Sequence, residues 1–157
     1  MYAPAHISGY LAADRPSPAA PPSARAVVTG APKTILRLEG AVVLTAAAMA
    51  YAQLGAGWMT FALLFLTPDV SMLGYLMGPR IGAVAYNSGH SYILPAALGA
   101  LGVWLHAHLP VTLSLIWVAH IGFDRMLGYG LKYATAFGHT HLGVVGKQKG
   151  VAGPAAL

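Results

Sequence analysis

The sequence predicts an all-α membrane protein, an antiparallel four-helix transmembrane bundle preceded by a disordered N-terminal tail. Two observations predict it. Of 157 residues, 57% are hydrophobic and only 8% charged, whereas soluble domains use about 25% charged residues to make a polar shell. Beyond the tail, the chain then resolves into four apolar runs. Each is near the roughly 20 residues that cross about 30 Å of hydrocarbon at about 1.5 Å per residue.

Residues 1–33, "MYAPAHISGYLAADRPSPAAPPSARAVVTGAPK", are rich in Pro, Ala and Ser and lack apolar periodicity. They read as a disordered cytoplasmic tail. It is not a secretory signal, because no apolar core of about 7–15 residues follows its first charges. His6 and Asp14 lie there without an assigned role. The apolar runs cover residues 35–54, 58–77, 81–104 and 110–131, joined by "GAG", "GPR" and "LHAHL". Connections this short make neighbours antiparallel, so 34–133 reads as one transmembrane domain and 134–157 as a C-terminal cytoplasmic tail. Pro68 and Pro95 each remove a helical hydrogen bond and should bend their helices. Trp58, Trp104, Tyr129 and Tyr133 fall near span ends, where amphipathic rings prefer the interface. Gly74-x-x-x-Gly78 resembles a small-residue helix contact but runs into a turn.

Arg15, Arg25, Lys33 and Arg37 flank the N-terminal side, Arg80 lies in the second turn, and Lys132, Lys147 and Lys149 follow the last span. The two opposite turns carry no Lys or Arg. This asymmetry predicts a multi-pass protein of the inner (plasma) membrane with both termini cytoplasmic. It also accounts for the net charge of +5 without nucleic acid, and no basic run interleaved with aromatics is present. The lipid bilayer is the expected partner, and the oligomeric state is not specified. The absence of cysteine removes disulfides, thiolate metal sites and thiol nucleophiles.

The polar residues inside these runs share one depth. Counted from the cytoplasmic ends at about 1.5 Å per residue, Glu39 lies roughly 6 Å in, Asn87 roughly 9 Å and Asp124 roughly 10 Å. Asp69 falls at roughly 12 Å, His90 at roughly 14 Å and His120 at roughly 16 Å. His120 and Asp124 are four apart and share a helix face, as do Asn87 and His90, three apart. A charged carboxylate at mid-membrane costs at least about 2.5–3.5 kcal/mol, so such groups turn inward and pair.

Asp69, His90, His120 and Asp124 supply two imidazoles and two carboxylates from three spans, a set suited to a divalent ion such as zinc, iron or manganese. Asn87 would orient these ligands, and Arg80 and Arg125 would balance charge or hold an anionic, lipid-like ligand. Two other readings use the same residues. One is a structural ion-pair network in a membrane scaffold, pairing Arg80 with Asp69 and Asp124 with Arg125 or Arg80. The other is a small proton-coupled transporter. His139 and His141 ("HTH") read as exposed residues beyond the last span, with folding back over the site as the alternative, and His106 and His108 as loop residues at the far end. No Gly-x-Ser-x-Gly elbow, phosphate loop or HExxH motif is present, so no reaction is named and enzymatic activity stays open.

The stretches "LRLEG" (36–40), "PDVSMLGYLMGPRIGAVAYNSGHSY" (68–92), "HIGFDRMLGYGLKY" (120–133) and "THLG" (140–143) together resemble the small bacterial membrane proteins grouped as domain of unknown function 4260. The similarity covers roughly residues 34–146 and leaves the tail outside. It implies an integral membrane protein of several helices and brings no catalytic role.

Overall fold

The computed structural model describes residues 28–135 and 137–144; the disordered-tail expectation for residues 1–27 lies outside them. The described chain is mostly helical. Helix α1 spans Gly30–Gln53, α2 Trp58–Leu64, a 3-10 helix Thr67–Met77, α3 Pro79–Gly89, α4 Ile93–Trp104 and α5 His108–Leu127. A small antiparallel hairpin follows, β1 His139–Thr140 and β2 Gly143–Val144. Helix α1 therefore begins inside the segment read as tail, and the C-terminal segment carries structure of its own. Among the described helices two are long and apolar enough to cross a membrane, Gly30–Gln53 and the combined Trp58–Met77.

Helix α5 is the axis of the fold. On one side it meets α1 where two glycines face each other. A Cβ on Gly122 would stand 2.7 Å from Leu44 N and 2.9 Å from Gly40 O, and one on Gly40 would stand 2.8 Å from Gly122 O. Only hydrogens let these backbones approach so closely. On the other side the N-terminal half of α5 packs on α4, where Ser114 donates to the Pro95 carbonyl at 2.7 Å and Gly102 admits Val111.

The second run is not a uniform α-helix. Pro68 supplies no N–H, and from Thr67 onward the chain tightens into three residues per turn. At that period residues three apart lie in one row, and the sequence is sorted accordingly. Val70, Leu73 and Leu76 form an exposed apolar row. Pro68, Ser71 and Gly74 face α3, with Gly74 against Ala85 and Ser71 against Gly89. Asp69, Met72 and Tyr75 form the third row.

The third run, expected as one helix over 81–104, is two helices. Pro95 has no N–H for the Ser91 carbonyl and its ring would collide with it, so α-helix cannot pass through that turn. The chain breaks at residues 90–92 and restarts at Ile93, placing Pro95 in a first turn where it is tolerated. The break exposes carbonyls that an apolar setting would penalise, and α5 satisfies them. Trp117 Nε1 donates to Gly89 O and Arg125 donates to His90 O at 3.2 Å.

Helix α5 ends at Gly128, whose φ of +96° reverses the chain; Tyr129 N then donates to Asp124 O at 2.8 Å. The following residues fold back. Tyr133 N donates to His139 O at 2.9 Å and His141 N to Leu131 O at 3.1 Å, and Thr140 and Leu142 are buried.

Candidate metal centre

Four side chains from three elements converge. Asp69 comes from the 3-10 helix, His90 from the helix break, and His120 and Asp124 from one face of α5. One ligand atom from each lies within 4.8 Å of all the others. His90 Nε2 is 3.2 Å from Asp69 Oδ1 and 3.5 Å from Asp124 Oδ2. His120 Nε2 is 3.6 Å from Asp69 Oδ1 and 3.9 Å from Asp124 Oδ2. The two Nε2 atoms are 3.2 Å apart. Both imidazoles are buried and the carboxylates half-buried.

Local structure aims each group. The 3-10 period puts Asp69 in the row opposite the exposed leucines, and the end of α3 leaves His90 at a helix C-terminus, where the dipole favours positive charge. His90 Nδ1 lies 2.9 Å from Tyr86 O, which can only accept, so Nδ1 carries a proton and Nε2 is the ring atom turned to the centre. The Tyr86 ring stacks on His90 with centroids 3.8 Å apart, and its hydroxyl donates to Asp124 Oδ2 at 3.3 Å. His120 is held differently. Its ring stands edge-on to Phe65, and its Nδ1 is buried with no hydrogen-bond partner among the described residues.

The remaining sequence candidates are arranged otherwise than expected. Asn87 makes no side-chain hydrogen bond to any of the four ligands among the described residues. Its side chain accepts from Lys132 N at 2.7 Å and donates to Lys132 O at 2.9 Å, clamping that residue's backbone. Arg80 is exposed at the start of α3, and among the described residues neither it nor Arg125 pairs with a carboxylate within 4.0 Å; the ion pairs are those between the two histidines and the two aspartates. Arg125 serves backbone instead, donating to His90 O and, at 3.4 Å, to Tyr129 O. The Arg80–Asp69 and Asp124–Arg125 pairing expected of a structural network is thus not formed. Glu39 is exposed and lines a separate cavity of about 210 Å³ with Arg125 and His141. His141 Nδ1 accepts from Leu131 N at 2.9 Å and closes the fold-back rather than joining the centre; burial and the nearby Arg125 charge hold its pKa below the ordinary histidine value. His106 and His108 are exposed at the opposite end of α5.

Sequence reasoning missed Lys132 and Tyr86. A cavity of about 310 Å³ adjoins the centre, lined by Asp69, Asp124, Tyr86, Met72, Lys132 and Phe137. Lys132 is buried, and its Nζ lies 3.3 Å from the Phe137 ring centroid, 4.1 Å from that of Tyr86 and 5.3 Å from that of Tyr75. Burial lowers its pKa, and the Asp124 and Asp69 charges oppose that shift. The i, i+4 spacing of Tyr86 and His90 was the available signal for Tyr86. Lys132 is placed by a chain reversal, for which Gly128 alone gave notice.

Residues 33–145 match the family model described as Domain of unknown function (DUF4260), and the chain belongs to that family. No curated protein and no solved structure matches it.

Proposed function

We propose that this is a multi-pass integral membrane protein that binds one divalent metal ion through Asp69, His90, His120 and Asp124. The observation that carries the reading is the 3.2 Å separation of the two Nε2 atoms with a carboxylate oxygen of each aspartate beside them. Two N–H bonds cannot point at each other across that distance, so at most one of these nitrogens can donate to the other. The remaining lone pairs and carboxylates would repel at close range. A divalent ion resolves this by accepting both nitrogens and neutralising both carboxylates. With metal–nitrogen bonds of about 2.0–2.1 Å, the observed spacing corresponds to an angle of about 100–106°, near tetrahedral. Zinc, iron and manganese are the ions such a donor set suits. Bound there, the ion would supply Lewis acidity toward a ligand entering from the adjoining cavity.

Membrane insertion is supported by the two long apolar helices and by large side chains left exposed all round, among them Leu63, Leu76, Ile93 and Trp104. In this reading α3 and α4 together make the third of four crossings, with the termini on the cytoplasmic side where Lys and Arg concentrate. Irregular backbone at residues 90–92 is tolerable at depth because α5 satisfies it.

Elemental analysis of protein purified in neutral detergent tests the metal. About one equivalent of metal per chain is expected for wild type and less than a tenth for the Asp69→Asn/His90→Gln double variant. Equal, negligible content in both, at unchanged thermal stability after metal addition, refutes it.

The helix break favours a second reading. Discontinuous helices often mark sites where ions are carried rather than kept, so the centre could instead pass protons. A pH-dependent flux in proteoliposomes that Asp69→Asn abolishes would establish that reading, and its absence from metal-loaded wild type would end it.

A further inference from the structure

We infer that the cavity beside the metal centre is a binding site for an amphiphile with an anionic head, held between the ion and Lys132. The inference rests on the metal reading and extends it to the ligand class. With a divalent ion bound, Asp69 and Asp124 are fully neutralised, and those carboxylates no longer balance the buried Lys132 ammonium. The three rings around Nζ stabilise it from their faces but contribute no negative charge. The cavity then holds one net positive charge in a setting where an unpaired ion is costly, and an anionic group restores balance. Arg125 adds no competing site, because its guanidinium is committed to the His90 and Tyr129 carbonyls.

The placement of Lys132 is built, not incidental. Both backbone polar groups are fixed by Asn87, one turn before His90 on the same helix, so the ammonium and the metal ligand share one rigid support. Met72 and Phe137 add apolar lining, and at about 310 Å³ the cavity is far larger than a bare anion needs. Met72 stands one 3-10 turn from Asp69, on the row that ends at Tyr75. A ligand with its anion at the ion and Lys132 would therefore run its apolar part along that row. Carboxylate and phosphate heads share this chemistry.

Calorimetric titration of the metal-loaded protein in neutral detergent, with hexyl phosphate, hexanoate, inorganic phosphate and hexanol, tests the assignment. The two anionic amphiphiles should bind at least tenfold more tightly than hexanol, and hexyl phosphate at least tenfold more tightly than inorganic phosphate; the stronger of the two amphiphiles identifies the head. Lys132→Met should lose at least tenfold for the anions and nothing for hexanol, with metal content unchanged, while Lys132→Arg retains binding. Met72→Glu, which leaves Lys132 intact, should also exclude the anions. Hexanol binding as tightly as the anions, or anion binding indifferent to both Lys132→Met and Met72→Glu, overturns the proposal. Metal content is read on the same samples. A chain without metal refutes the metal reading itself, whereas a loaded chain that ignores anions refutes only this one.

Discussion

Helix α5 presents two contrasting surfaces. Toward α1 it offers Gly122 against Gly40, a seam in which backbone meets backbone, bordered by the Arg125 stem and by Arg37, which donates to the Met126 carbonyl at 2.8 Å. Toward the 3-10 helix and the α3–α4 break it offers His120 and Asp124, and there nothing fits unless charge is closed as well as space. The first contact is specified by the absence of side chains, the second by their convergence. A seam of small residues tolerates no added atom but is indifferent to pH and ions. The polar junction has room, including the adjoining cavity, and depends on what occupies it.

The largest effect that would break this contrast is at the seam. Gly122→Leu drives a side chain into Leu44 N and Gly40 O, which are backbone and cannot yield. The expected loss is at or above the upper end of the about 1–3 kcal/mol seen for overpacking, read as a lowered thermal transition by circular dichroism. Wild-type stability for this variant would show that α1 and α5 do not cross there.

Removing metal comes next, and it should act on the junction alone. For a free ion at about a hundred times its dissociation constant, chelation is expected to lower stability by about 2.7 kcal/mol. In the chelated state Asp69→Asn should be more stable than wild type, since it removes one of two adjacent carboxylates; in the loaded state the order should reverse. An order that does not change with chelation would make the junction a static network like the seam.

Trp117→Phe probes the boundary between the two regions by stripping the donor from Gly89 O. A carbonyl left unpaired there is expected to reduce stability by about 1–3 kcal/mol, with metal content falling as His90 loses its fixed position. Unchanged stability would mean that the break is held by other contacts.

The smallest effect is a pH dependence at His141. Its folded pKa lies below the unfolded value of about 6.5, so the unfolded chain takes up the proton first. Stability is full above that pH and declines as pH falls below it. Arg125 and Glu39 share its surroundings. His141→Gln should reduce the stability difference between pH 7.5 and 5.5, and a larger difference in the variant would contradict the assigned direction.

The polar junction was legible in the sequence because burying ionisable groups is expensive: four such residues inside apolar runs were expected to meet, and they do. The i, i+4 spacing of His120 and Asp124 fixed their common face. The helix break was harder to read, since a proline alone does not say whether a helix bends or stops. The 3-10 segment was legible in principle, because Val70, Leu73 and Leu76 repeat every three residues rather than alternating three and four. Arg80 and Lys132 show the limit. Both are basic and flank apolar runs, but which one reaches the cavity beside the centre depends on the reversal at Gly128 and on the Asn87 clamp, contacts between segments 45 residues apart in sequence. Local pattern carries no such information.

X-ray absorption at the edge of the bound metal tests most directly that these four side chains share one ion. The account predicts a first shell of nitrogen and oxygen only, at about 2.0–2.2 Å, with outer-shell scattering from two imidazoles that falls to one in His120→Gln. Scattering from fewer than two imidazoles in the wild type, or a spectrum unaltered by that substitution, would contradict it.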